Sequence, residues 1–195
     1  MMRRWPLRWW MPVLASLLCA CASTPSPRYY VLDGISRQGA ATAGPIVVVD
    51  VVTIPAVVDR PQFVLRVDAN QVTLDEFARW AEPLKSQIRR VIAADLALQF
   101  PGALVSGYPQ NLDPALTYFV SVDVQSFESA LGQAASVSVL WSVKPPKEGA
   151  PVSGRAVVSE PTGAQGNDAL VAAHSRAMAA VSGAIATAIR STRRP

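Results

Sequence analysis

Between Tyr118 and Val143 the chain changes period, and that change limits its possible folds more than any other feature. Tyr118, Val120, Val122 and Val124 alternate with Phe119, Ser121, Asp123 and Gln125. Val137, Val139, Trp141 and Val143 alternate in the same way with Ser136, Ser138, Leu140 and Ser142. A period of two sends successive side chains to opposite faces, so both segments read as strands with one buried face and one largely polar face. Gly132 marks the turn between them, Lys144 to Pro151 marks the next, and Val152 to Glu160 makes a third, weaker strand. One bare face is a property of antiparallel sheets, so this region is expected to be a meander.

The flanking segments add helices to that sheet. Tyr29 to Asp33 is a short strand candidate, and Gly34 to Pro45 is a loop of small residues. Ile46 to Val52 is an almost unbroken β-branched run, as expected of a central strand covered on both faces, and Pro55 ends it. Gln62 to Val67 and Gln71 to Leu74 flank Asp68-Ala69-Asn70 and read as a hairpin. Thr73 with Glu76 three residues on matches a capping box, which predicts a turn or two of helix from Asp75. A main helix follows, with Pro83 in its first turn, the stripe Leu84, Ile88, Val91, Ile92 and Leu96, and a stop at Phe100-Pro101-Gly102. A last helix is expected from Asn167 or Asp168 to about Arg190. Its stripe is Leu170, His174, Met178, Val181, Ile185 and Ile189, and Arg190, Arg193 and Arg194 suit its negative end. Two long helices against one mixed, mainly antiparallel sheet is the economical way to bury these faces, an α/β single domain without internal repeats.

The amino terminus predicts export. Met1 to Trp10 carries Arg3, Arg4 and Arg8 and no acid, and Met11 to Leu18 is an apolar run too short to span a bilayer. Leu18-Cys19-Ala20-Cys21 resembles the bacterial lipobox, so cleavage is expected before Cys21, which becomes the acylated first residue. Cys19 fits worse, because Leu17 and Leu18 would then stand where the cleavage site needs small residues. The division expected is a signal peptide over 1–20, a lipidated tether over 21–28 and one domain over 29–195. Ala22 to Arg28 is seven residues and reaches at most ~25 Å when extended, which keeps the domain close to its membrane. Ala22 is not the aspartate that retains lipoproteins in the inner membrane, and by analogy with enteric sorting this favours the outer membrane.

Processing also changes the charge and the cysteine count. Removing Arg3, Arg4 and Arg8 leaves 15 basic residues against 14 acids, far from the concentrated basic patch that nucleic acid requires. Cys21 is then the only cysteine, and its sulfur is a thioether, so no disulfide, thiolate nucleophile or cysteine metal ligand is expected. One histidine cannot build a zinc site of common type. His174 lies on the apolar stripe of the last helix, where a ring packed on the sheet and bonded once is expected in place of a proton-transfer group. No G-x-S-x-G elbow and no phosphate loop occur, and Asp75 with Glu76 reads as helix-dipole stabilisation. The expectation is no catalytic residue, no cofactor and no metal.

The densest stretch is Ile54 to Leu84, with Ile54-Pro55, Asp59-Arg60-Pro61-Gln62, Arg66 and Asp75-Glu76-Phe77-Ala78-Arg79-Trp80-Ala81-Glu82-Pro83-Leu84. Together with Tyr29-Tyr30-Val31-Leu32 and Leu170-Val171-Ala172-Ala173, these segments resemble the ABC-type transport auxiliary lipoprotein family, whose best-known members are PqiC/YmbA-like. The resemblance spans essentially the whole mature chain. Val57-Val58 stands where that family is expected to carry an aromatic residue and a leucine.

The resemblance implies an outer-membrane lipoprotein working with an ABC transporter of the inner membrane and a periplasmic MCE-domain (mammalian cell entry) protein. Such systems move phospholipid or other apolar molecules between the two membranes. It also implies a domain related to the periplasmic α/β modules of the curli-secretion lipoprotein. Physically, the Ile54–Leu84 block has two readings. Either Arg60 or Arg66 pairs with Glu76 or Glu82 while Trp80 fills the space between hairpin and helix, or Arg60, Arg66, Glu76, Trp80 and Glu82 form a docking surface, since Trp and Arg dominate interface energetics. Other classes of function compatible with a small anchored α/β domain are an activator of a cell-wall synthesis enzyme and a plug for an outer-membrane barrel. An oligomer is compatible with each of them.

Overall fold

A computed structural model describes residues 25–34, 44–108, 112–147 and 149–193; the signal segment, Cys21 and the first half of the tether lie outside them, as do most of the Gly34–Pro45 loop and Arg194. The elements are β1 Arg28–Tyr30, β2 Ile46–Thr53, β3 Gln62–Arg66, β4 Val72–Trp80, α1 Leu84–Gln99, β5 Leu104–Ser106, β6 Thr117–Ala130, β7 Ala134–Lys144, β8 Val152–Pro161 and α2 Asn167–Thr192.

The eight strands form one mixed sheet around β6. On one side β6 carries β7 and then β8, both antiparallel; on the other it runs parallel to β2 and, further along, to β3. β4 is antiparallel to β3, β1 is parallel to β4, and β5 is parallel to β2. The antiparallel ladders β6–β7 and β7–β8 are the longest, so the expected mixed, mainly antiparallel sheet with two long helices is what the chain forms. The meander turns at Gly132, whose φ of 70° suits a residue without Cβ.

Both helices lie on one face. α2 covers β6, β7 and β8, α1 covers β2 and β5, and the helices pack on each other. The predicted stripes meet there: Leu84, Ile88, Val91, Ile92 and Leu96 of α1, and Leu170, His174, Met178, Val181, Ile185 and Ile189 of α2, are all buried. α2 is long and apolar enough to cross a membrane by composition, but its apolar residues are spent on this core. Gly102, at φ 81°, lets the chain turn away after α1. The polar alternates of the meander face the other way, and that sheet face is bare among the described residues.

Three expectations are corrected. Thr73 does not cap a helix: Val72 to Trp80 is a nine-residue strand. The capping chemistry is real but is used differently, because Asp75 Oδ1 accepts from the N–H groups of Phe77 at 2.9 Å and Ala78 at 3.0 Å. This closes a bulge in which three extra residues of β4 fall between the Phe63–Asp75 and Gln62–Arg79 pairs. The same oxygen-to-amide bonds that start a helix also close an Asx turn, and pairing with β3 and β1 decides between them. Asp75 and Glu76 are therefore not helix-dipole acids. Second, β2 is covered on both faces only as far as Val49; beyond an irregularity at Asp50, Val51 is 46% exposed on the bare face. Third, neither Arg60 nor Arg66 pairs with Glu76 or Glu82. Arg66 pairs with Glu128 at 2.6 Å, Glu76 with Arg79 at 3.4 Å, and Glu82 with Arg90 at 3.9 Å.

Candidate functional site

Two rigid pieces of chain meet at the corner where β4 gives way to α1. The first is the turn from Pro55 to Pro61, wound tightly by bonds from Val58 N–H to Pro55 O, Asp59 N–H to Ala56 O and Arg60 N–H to Val58 O. Val58 drops into the core from this turn, whereas Val57 stays exposed. The second is Trp80 to Pro83. Trp80 N–H donates to Pro61 O at 2.7 Å and Ala81 N–H to Tyr30 O at 2.9 Å, which ties the corner to both neighbouring segments. Gln87, fully buried on α1, donates to Glu82 O and accepts from Leu32 N–H at 2.7 Å. Between the two pieces lies a groove of about 290 Å³ lined by Asp59, Arg60, Pro61, Trp80, Ala81, Glu82 and Pro83.

The groove brings together three of the five residues expected at a docking surface. Arg60 and Glu82 stand exposed on its walls, and Trp80 forms part of its lining. Trp80 is only 6% exposed, so its ring belongs mainly to the core. It stacks 4.3 Å from Phe63, which lies 5.0 Å from Tyr30, and meets Phe127 edge-on at 6.1 Å. These rings join β1, β3, β4 and β6 behind the groove. Arg66 and Glu76 lie outside it. Arg66 braces the hairpin by donating to the carbonyls of Asp68 and Ala69 and by holding Glu128 on β6. Glu76 accepts from Arg79 and from Gln62.

His174 ends the aromatic series. Its ring stacks on Phe127 at 3.9 Å with 5° between planes, and its Nε2 sits 2.8 Å from Ser129 Oγ. Its Nδ1 is buried without a hydrogen-bond partner. Burial lowers its pKa from 6.5 to about 3, because the interior penalises the imidazolium. The ring is thus neutral near pH 7 and out of reach of any surface ligand. Among the described residues no cluster of three or more His, Cys, Asp or Glu is placed to hold a metal.

A second concavity, of about 610 Å³, was not anticipated from the sequence as a site, although the alternation of β6 and β7 had assigned four of its residues, Ser121, Asp123, Leu140 and Ser142, to the largely polar face. It crosses four strands in register. One row is Val51, Ser121, Ser142 and Ser153; the next is Thr53, Asp123, Leu140 and Arg155. Thr53 Oγ1 and Gln125 Nε2 both donate to Asp123, which leaves a shallow, hydroxyl-paved trough with apolar Val51 and Leu140 in it.

Fold and site define a small α/β domain, one sheet with helices on a single face and a rigid surface groove at its β4–α1 corner. The profile of the ABC-type transport auxiliary lipoprotein components matches residues 30–186, and the chain belongs to that family. Its fold is similar to a crystal structure of an uncharacterised protein, at 22% identity and a TM-score of 0.72, over 85% of this chain and 99% of the other. It is also similar to protein XCC0632 from Xanthomonas campestris, at 16% identity and a TM-score of 0.63, over 82% and 92% of the two chains. No curated protein matches the sequence significantly.

Proposed function

We propose that this chain is a non-catalytic auxiliary component of an ABC/MCE-type transport system, anchored at the periplasmic face of the outer membrane by acylated Cys21. Residues 1–20 are then the signal peptide, 21–28 the lipidated tether and 29–195 the working domain. The observation that carries this reading is the family match, which opens at residue 30, directly behind the lipobox and its short tether. The partner is a periplasmic MCE-domain protein fed by its inner-membrane transporter, and the cargo is phospholipid or another apolar molecule passing between the membranes. The docking surface is the β4–α1 corner, where exposed Arg60 and Glu82 line the same groove as Trp80. An exposed arginine beside a partly accessible tryptophan suits a small interface hot spot. Arg66 and Glu76 serve the same surface at one remove, by bracing the hairpin that carries it.

Fractionation and crosslinking of intact envelopes test both halves. Cys21→Ser should give a soluble periplasmic protein or an unprocessed precursor, since acyl chains supply the anchor at ~0.8 kcal/mol per buried CH₂. A Cys21→Ser protein that is still cleaved and still sediments with the outer membrane refutes the anchor. The wild-type protein should crosslink to an MCE-domain protein. Recovery of a murein synthase in its place refutes the transport role.

A further inference from the structure

The tether leaves the domain at one end of the sheet. β1 runs parallel to β4, with Arg28 opposite Ala78 and Tyr30 opposite Trp80, so the chain before Arg28 departs on the side of the β3–β4 turn. Pro25 and Pro27 lack the N–H that a longer ladder would need. Val72, which opens β4, stands opposite Arg66, and Arg79 stands opposite Gln62. Counted along β3, which leaves the bulge out, Val72 is about 14 Å from Arg79 at ~3.4 Å per residue. The tether from Ala22 to Arg28 reaches ~25 Å, so Cys21 can stand level with the turn or beyond it.

That end of the molecule is apolar at its surface. Val67, Val72 and Leu74 of the hairpin are each between 39% and 56% exposed, and so is Leu131, in the β6–β7 turn two residues beyond the Ser129 that pairs with Leu65. Exposed apolar side chains are ordinary when scattered, but here they cluster where the anchor emerges. The hairpin turn also keeps its polar groups to itself. Asp68 Oδ1 accepts from the N–H groups of Asn70 and Gln71 at 2.8 Å, and Val67 N–H donates to Gln71 O at 3.0 Å. Arg66 donates to the carbonyls of Asp68 and Ala69 at 3.2 Å while it holds Glu128. A turn whose polar groups are already bonded can enter a less polar medium at little cost.

We propose that the β3–β4 hairpin, with Leu131 beside it, is the surface by which the domain rests on the phospholipid leaflet that holds its acyl anchor. This rests on the anchoring of Cys21 proposed above. Val67, Val72, Leu74 and Leu131 lie against the boundary between headgroups and acyl chains, which removes their apolar surface from water. The contact need not be strong by itself, because the acylated tether makes it intramolecular and keeps the local lipid concentration high. The orientation also accounts for the position of the groove. Trp80 lies one strand step beyond Arg79, at the end of β4 away from the turn, so a hairpin resting on the membrane turns Arg60 and Glu82 toward the periplasm, from which a partner arrives.

Quenching by spin-labelled phospholipid tests this on the full acylated protein in vesicles of phosphatidylethanolamine and phosphatidylglycerol. Acylation blocks Cys21, and the parent chain gives the labelling background. A fluorophore on Val72→Cys or Leu131→Cys should be quenched at least about twofold more than one on Leu104→Cys. Leu104 is a comparably exposed apolar residue, but it stands at the opposite end of β6, about 40 Å from the hairpin at ~3.3 Å per residue. Val67→Glu should leave the thermal midpoint unchanged and reduce quenching at residue 72 by about half or more. A chain that does not float with the vesicles refutes the anchor, and this surface with it. A chain that floats but is quenched equally at residues 72, 131 and 104, or is indifferent to Val67→Glu, overturns the surface and leaves the anchor standing. Protection of the hairpin only on adding a periplasmic protein also overturns it, by assigning the hairpin to that protein.

Discussion

Lowering the pH from 7 to 4.5 should cost this domain roughly 2–3 kcal/mol through His174 alone, because the folded ring holds its proton far less readily than the unfolded one. The folded ring is lowered to about 3 by burial, whereas the unfolded one titrates at 6.5. A base with a depressed folded pKa binds its proton more readily in the unfolded chain. Its stabilising contribution is therefore complete above about pH 6.5 and is lost as pH falls, at about 1.4 kcal/mol per unit, until the folded ring itself protonates near pH 3. At pH 5.5 the loss should be roughly half of that at pH 4.5. Carboxylates titrate over the same range, so the assay is a comparison: urea unfolding of wild type and His174→Gln at pH 7, 5.5 and 4.5. The glutamine forfeits the stack on Phe127 and should cost about 1–3 kcal/mol at pH 7. It has no proton to gain, so that deficit should vanish or reverse by pH 4.5. Parallel pH profiles for the two proteins, within about 0.5 kcal/mol, would refute the burial of a neutral imidazole.

Trp80→Ala opens a cavity among Phe63, Phe127 and the groove and should cost ~3–5 kcal/mol, read by chemical denaturation. Arg60→Ala should cost less than ~0.5 kcal/mol and act only on partner capture, so a melted Arg60→Ala beside a stable Trp80→Ala would exchange their roles. Asp75→Ala strips two backbone N–H groups and the Asn167 amide of their acceptor and should destabilise by ~1–3 kcal/mol, whereas a neutral result would mean that the bulge holds itself.

The sequence alone determined what depends on periodicity. The stripes of α1 and α2, the meander from Tyr118 to Glu160, the hairpin at Asp68-Ala69-Asn70 and the stop at Gly102 all follow from spacing and turn chemistry, which are properties of near neighbours. The family was legible for the same reason, since short blocks such as Trp80-Ala81-Glu82-Pro83-Leu84 keep their spacing in the chain. Tertiary structure decided the rest. Thr73 to Trp80 carries a helix-start signal, but Asp75 caps a bulge because β3 and β1 flank it, and no local signal contains that fact. The partner of Arg66 was out of reach, since Glu128 is 62 residues away, and long charged side chains pair with whatever folding brings alongside; Glu76 and Glu82 pair closer in sequence, with Arg79 and Arg90. The trough was partly legible, Ser121, Asp123, Leu140 and Ser142 being assigned to a largely polar face by alternation, but its concavity appears only when β2, β6, β7 and β8 stand in register. The end of the sheet from which the tether leaves belongs wholly to topology, because a strand reads the same in sequence whichever way its neighbour runs.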